Sequence, residues 1–175
     1  MKLFSKFFLI TFFLILSTNN LKAKDKVAYL DIDFILTNTI AGKTLLTNLQ
    51  KQEEVKINQF RTNDEKFKDN EKKILSKKNI VSDDELNKEM RELQINFKKY
   101  NKNKKIEIEN LKKKRNENII NFINLINPII EKYMTDNSIY MLIDKKNVFI
   151  ANNNYDITKK LIELIDNQIK TIEIE

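Results

Sequence analysis

Residues 79–86 read Asn-Ile-Val-Ser-Asp-Asp-Glu-Leu, "NIVSDDEL". The stretch interrupts two long runs of polar, helix-patterned sequence. Ser82 and Glu85 have the S-x-x-E spacing, in which the hydroxyl and the carboxylate satisfy each other's backbone N–H groups at a helix start. Asp83 and Asp84 suit the positive end of a helix dipole. One helix therefore ends near Asn79 and another begins after Ser82. A link of about four residues makes the two antiparallel neighbours.

The apolar spacing on either side agrees. Before the break, Leu46, Phe60, Phe67, Ile74 and Val81 fall on one seven-residue lattice, with Glu53 in the gap and Leu49 on a neighbouring row. The helix runs from about Ile40 to Asn79, roughly 60 Å at 1.5 Å per residue. After the break, Leu86, Met90, Leu93, Phe97 and Tyr100 alternate steps of 4 and 3. Lys104 interrupts the row, which resumes at Ile108, Leu111, Ile119, Phe122, Ile126, Ile129 and Tyr133. Such alternation makes a left-handed coiled-coil seam. Pro128 removes a backbone donor and should kink the second helix near its end. The heptad spacing of Phe60, Phe67, Phe97 and Tyr100 favours seam positions over contact with a partner.

Composition supports long elements. The 175 residues include one Gly and one Pro, no Cys, no His and no Trp, and a third are charged. So few breakers leave little room for turns. The missing Cys and His exclude the common triads, zinc sites and thiol chemistry, and no cofactor or metal is expected. Asp31 and Asp33 flank a strand end, where solvation or capping is the ordinary role.

The ends of the chain differ from the middle. Lys2 and Lys6 precede "FFLITFFLIL" at residues 7–16, followed by polar residues and Ala23. This is the layout of a secretory signal, residues 1–23, cut after Ala23; the apolar core is short for a membrane span. Without Lys2, Lys6 and Lys22, 29 basic residues face 25 acidic ones, a net +4. That is modest for a nucleic-acid binder, and no nucleic-acid partner is expected. Val27 to Ile32 reads as a buried strand. Ile139 to Ile143 and Val148 to Ala151 read as a β-hairpin about the turn at 144–147. Asp156 reads as the cap of a last helix, Ile157 to about Lys170.

The sequence thus predicts an α+β, mostly α fold. A small β body (residues 24–45 together with 125–175) carries a helical-hairpin, coiled-coil tentacle (residues 46–124). A body of three strands has little core of its own and exposed edges, and oligomerisation is the natural remedy.

"TIAGKT" at 39–44 ends like a phosphate-binding loop after a strand. The motif needs Gly at position 37, where Thr37 stands, and no second nucleotide motif follows. Gly42 is read instead as a close-packing joint where the long helix leaves the body. A basic surface, Lys98, Lys99, Lys102, Lys105, Lys112, Lys113 and Arg115, is either a solvated face or a surface for anionic lipid, lipopolysaccharide or acidic polypeptide.

"KVAYLDIDFILTNTIAGKTLLTNLQ" and "YMLIDKKNVFIANNNYDITKKLIELI" resemble the opening and closing segments of the Skp family, the OmpH-like periplasmic chaperones. The resemblance implies a homotrimer with an intersubunit β-barrel body, whose strands here would be Val27, Tyr29, Leu30 and Ile32, Tyr140, Leu142 and Ile143, and Val148, Phe149 and Ile150. It also implies an ATP-independent periplasmic holdase, not an enzyme, that keeps unfolded outer-membrane β-barrel proteins from aggregating in transit. The alternatives are an exported coiled-coil spacer, or an anionic-surface binder without chaperone activity.

Overall fold

The computed structural model describes residues 26–171; the expected signal segment, residues 1–23, lies outside them. Strand β1 is Lys26–Leu30. Helices α1 (Ile32–Asn38), α2 (Ile40–Ser76) and α3 (Asp83–Asp136) follow. Strand β2 (Ile139–Asp144) and helix α4 (Thr158–Gln168) complete the fold.

The helical hairpin forms where "NIVSDDEL" requires it. The Ser82 hydroxyl accepts from the Glu85 N–H at 3.3 Å, with Asp83, Asp84 and Glu85 in the first turn. The 37 residues of α2 and 54 of α3 correspond to about 55 and 80 Å at 1.5 Å per residue. Pro128 lies inside α3 and does not end it.

Two expectations are corrected. Ile32 belongs to no strand; it opens α1, because the Asp31 carboxylate accepts from the Phe34 N–H at 2.9 Å and caps the helix there. Nor do Val148, Phe149 and Ile150 form a strand in this chain. Asp144 accepts from the Lys146 N–H and winds Lys145–Asn147 into a 3₁₀ turn. That turn sends the chain away from β2 instead of back along it. Among the described residues the sheet therefore has two strands, β1 and β2, paired parallel with Ala28 opposite Leu142 and Leu30 opposite Asp144.

The core lies where the base of the hairpin meets the sheet, α1 and α4. Ile35, Leu45, Phe122, Ile126, Leu161 and Ile165 are fully buried there, each contributing about 1.5–3 kcal/mol on leaving water. Leu45, not Leu46, faces this core: Leu45 and Leu49 are buried while Leu46 is half-buried. At the base, α1 packs against α2, and α4 against α1 and α3, so the buried side of α2 differs from the hairpin seam. The expected cap, Asp156, stands one residue too early: Ile157 occupies the cap position of the last helix without a side-chain hydrogen bond, while the Asp156 carboxylate accepts from the Thr158 N–H at 3.0 Å. Between Leu49 and Asn118 no side chain is fully buried.

The joint at Gly42 is tight. Thr39 is buried and caps α2; its hydroxyl accepts from the Gly42 N–H at 3.1 Å and donates to the Ile35 carbonyl at 2.9 Å. The Ile40 N–H donates to the Asp166 carboxylate of α4 at 2.7 Å. The helix N-terminus that would hold a phosphate is thus satisfied by Thr39 and Asp166. A Cβ at position 42 would lie 2.0 Å from the Leu36 carbonyl oxygen, so α1 and α2 can turn this sharply only over glycine. Gly42→Ala is expected to cost about 3 kcal/mol, the upper end for an overpacked site. Urea denaturation measures this, and an unchanged midpoint would refute the close-packing role.

Candidate functional site

The hairpin beyond the core is the largest surface the fold offers, and its seam is built from charge as much as from apolar contact. From base to tip, Arg115 meets Glu53 at 3.2 Å, Lys56 meets Glu107 at 3.0 Å, Lys104 meets Asp64 at 2.6 Å and Lys77 meets Glu89 at 2.7 Å. Each pair bridges α2 and α3 or, for Lys77, the turn and α3. Lys104 therefore continues the seam: its ammonium also lies 5.6 Å from the Phe60 ring centroid and 5.8 Å from that of Tyr100. Half-exposed pairs of this kind are worth up to about 1 kcal/mol each, and in a seam they fix register as well.

An aromatic cluster sits between the last two pairs. Phe67 packs against Phe97 and Tyr100 with centroids 5.2 and 5.1 Å apart. The Tyr100 hydroxyl donates to the Phe60 carbonyl across the hairpin at 3.0 Å. Burial pushes the Tyr100 phenol up to about 12, and the neighbouring Asp64 carboxylate adds to the shift. The hydrogen bond from Lys104 holds the Asp64 carboxyl below the usual carboxylate range. The aromatic residues thus occupy the seam, as their spacing predicts.

The two sides of the seam carry grooves. On one side, Ile57, Phe60, Ile108 and Leu111 line a groove of about 530 Å³ with Arg61 and Lys112 at its edge. It adjoins a second, of about 480 Å³, over Phe67, Met90, Leu93 and Phe97. Asp64 and Lys104 border both. On the opposite side a single groove runs past Val55, Lys56, Glu107 and Leu111.

Of the basic residues singled out in the sequence, Lys98, Lys99, Lys102, Lys105, Lys112 and Lys113 are exposed along α3, with Lys113 3.7 Å from Glu117. Arg115 stands apart from them: it turns into the seam and is half-buried against Glu53. Pattern reading missed the ion-pair ladder. Its signal was present, since Glu53–Arg115 and Asp64–Lys104 are both centred on residue 84, at the hairpin turn.

In the body, Tyr29 and Leu30 are buried and Leu142 and Ile143 half-buried. Val27, Tyr140, Phe149 and Ile150 are exposed. Beside them Val27, Ala28, Tyr29, Ile143, Val148 and Ile150 line a hollow of about 480 Å³. Among the described residues no cluster of three or more acidic, His or Cys side chains could hold a metal, and no helix is long and apolar enough to cross a membrane.

The sequence model of one family, "Outer membrane protein (OmpH-like)", matches residues 26–165. Among solved structures, the chain is similar to an OmpH-like protein of Caulobacter crescentus, provisionally described as an outer membrane chaperone. The TM-score is 0.77 at 17% identity, over 85% of this chain and 88% of that one. No curated protein matches.

The Asp64–Lys104 pair gives the hairpin a pH dependence of known sign. Because the folded carboxyl titrates below its ordinary value, its stabilisation is present at neutral pH and is lost as pH falls through the folded value, below about 4. Asp64→Asn should lower the urea midpoint at pH 7, and the gap to the unsubstituted protein should close on acidification. A gap that stays constant to about pH 2 would mean that the carboxylate charge is not what stabilises.

Proposed function

Because the chain belongs to the OmpH-like outer membrane protein family, we propose that it is an ATP-independent holdase chaperone of the periplasm. In this reading it binds unfolded outer-membrane β-barrel proteins and keeps them from aggregating in transit. The observation that carries the reading is the exposed hairpin. Its length far exceeds what the core needs, and Ile57, Ile95, Phe97, Ile106 and Ile108 stand exposed along it. Dispersed apolar side chains on a charged, water-soluble arm can make many weak contacts with an unfolded chain. Independence from ATP is supported at Gly42, where the N–H groups that would cradle a phosphate are already bonded to Thr39 and Asp166.

We propose further that the body assembles as a homotrimer with an intersubunit β-barrel. Support comes from the fully exposed Phe149, the nearly exposed Ile150 and Tyr140, and the apolar hollow next to them. Large apolar side chains exposed on and beside a two-stranded sheet mark an interface. Residues 148–151 find no strand partner among the described residues, and a neighbouring copy would supply one.

Two measurements test this. The folded protein without its signal segment, mixed at stoichiometric amounts with a urea-diluted outer-membrane β-barrel protein, should suppress light-scattering aggregation without nucleotide. Unchanged aggregation would reject the chaperone. Static light scattering should give a trimer mass, reduced to the monomer by Phe149→Asp combined with Ile150→Asp, with helical circular dichroism retained. A monomer before substitution would reject the trimer.

A further inference from the structure

The two sides of the hairpin are not equivalent, and the difference points to where and what it binds. The paired grooves are lined mainly by the same seven-residue rows. On α2 these are 53, 60 and 67 beside 57, 64 and 71; on α3 they are 90, 97, 104 and 111 beside 94, 101 and 108. The two grooves therefore lie end to end as one channel on this side of the hairpin, with Asp64 and Lys104 lining both. From Glu53 to Glu71 it is about 27 Å long at the helical rise, which accommodates about eight residues of extended chain.

Its floor is apolar and in part adaptable: Ile57, Phe60, Ile108 and Leu111 in one half, Phe67, Met90, Leu93 and Phe97 in the other. Met suits a surface that must accept varied shapes. Its rims are basic. Arg61 and Lys68, seven residues apart, stand on the α2 rim. Lys112 stands on the α3 rim, and Lys105 and Lys98 continue its row at the same spacing, both exposed. Within the channel Glu53 and Asp64 are engaged by Arg115 and Lys104, so Glu71 is the one lining carboxylate without an ion pair among those described. The opposite groove has no aromatic residue, and its apolar lining is limited to Val55 and Leu111.

We propose that this channel is the docking groove for clients, and that its occupant is an extended segment of unfolded protein that alternates apolar with acidic side chains. Apolar side chains fill the floor while the intervening carboxylates face the two basic rims. The inference rests on the chaperone reading and assigns it a side of the hairpin and a client chemistry.

Ile57 and Val55 provide a matched test. Both are on α2, one on each side of the seam, and they are 60% and 56% exposed, so polar substitution at either leaves the fold intact. The probes are two fluorescent twelve-residue peptides of alternating Phe and Glu or alternating Phe and Lys, followed by anisotropy with the folded protein. The Glu peptide should bind and the Lys peptide bind at least about tenfold more weakly, in line with like-charge repulsion at the rims. Ile57→Ser and Arg61→Glu should each weaken the Glu peptide by about tenfold, and Val55→Ser should leave it unchanged. Equal losses at 55 and 57, or equal affinity for both peptides, overturn the proposal. Parallel aggregation assays with a full-length unfolded β-barrel protein separate the two readings. Suppression that Ile57→Ser and Arg61→Glu do not weaken keeps the chaperone and removes the groove. No suppression by the unsubstituted protein removes the chaperone itself, and with it the client identity of the groove's occupant.

Discussion

The architecture depends on one closure: β1 must pair with β2, with Ala28 opposite Leu142. More than a hundred residues lie between them, and a flexible loop of that length would make the pairing slow and entropically costly. Two antiparallel helices remove most of the difficulty, because an excursion that runs out and back returns to its starting point. Parallel strands also require such a crossover. The hairpin is thus the connection that makes the body possible, besides being the arm that extends from it. Gly42 and Thr39 at its departure, and Asn137 at its return, set the two angles at which it meets the body.

Stability is distributed accordingly. The fully buried side chains gather at the base, and from residue 50 to 117 there are none. The arm is held by half-buried aromatics and by ion pairs. Pairs of this sort contribute little to free energy in water, but a misaligned register would place like charges together or leave a half-buried charge without its partner. Local opening of the arm is therefore much cheaper than unfolding of the body, which suits a surface that must adapt to chains of no fixed shape.

Much of this was legible in the sequence, for identifiable reasons. The hairpin, its turn and the core of α4 follow from local signals: heptad spacing, Ser82 with Glu85, and Ile157, Leu161 and Ile165 on one face. Errors arose where a local cue had two outcomes. Asp31 can end a strand or cap a helix, and here it caps α1, taking Ile32 with it. Asp144 can begin a hairpin turn or a 3₁₀ turn, and the latter removes the third strand from the chain. Apolar periodicity cannot see a seam partner that is charged, so Lys104 looked like a gap and Arg115 like part of a solvated face. Only cross-hairpin pairing about the turn turns these into structure.

That charged seam also explains why the arm can keep its grooves. Were Glu53, Asp64, Lys104 and Arg115 all leucine or isoleucine, the helices would gain a continuous dry interface. The apolar side chains flanking it would then merge with that interface and lose their separate exposure. Charged side chains instead meet across the seam by their tips, and the Lys104 ammonium also lies over the Phe60 and Tyr100 rings. The seam is closed electrostatically and the flanking Ile57 and Ile108 stay exposed beside it. Stability forgone in the seam is what leaves apolar surface open for a second chain, and the acid sensitivity of Asp64 places that surface next to a charge that solvent can change.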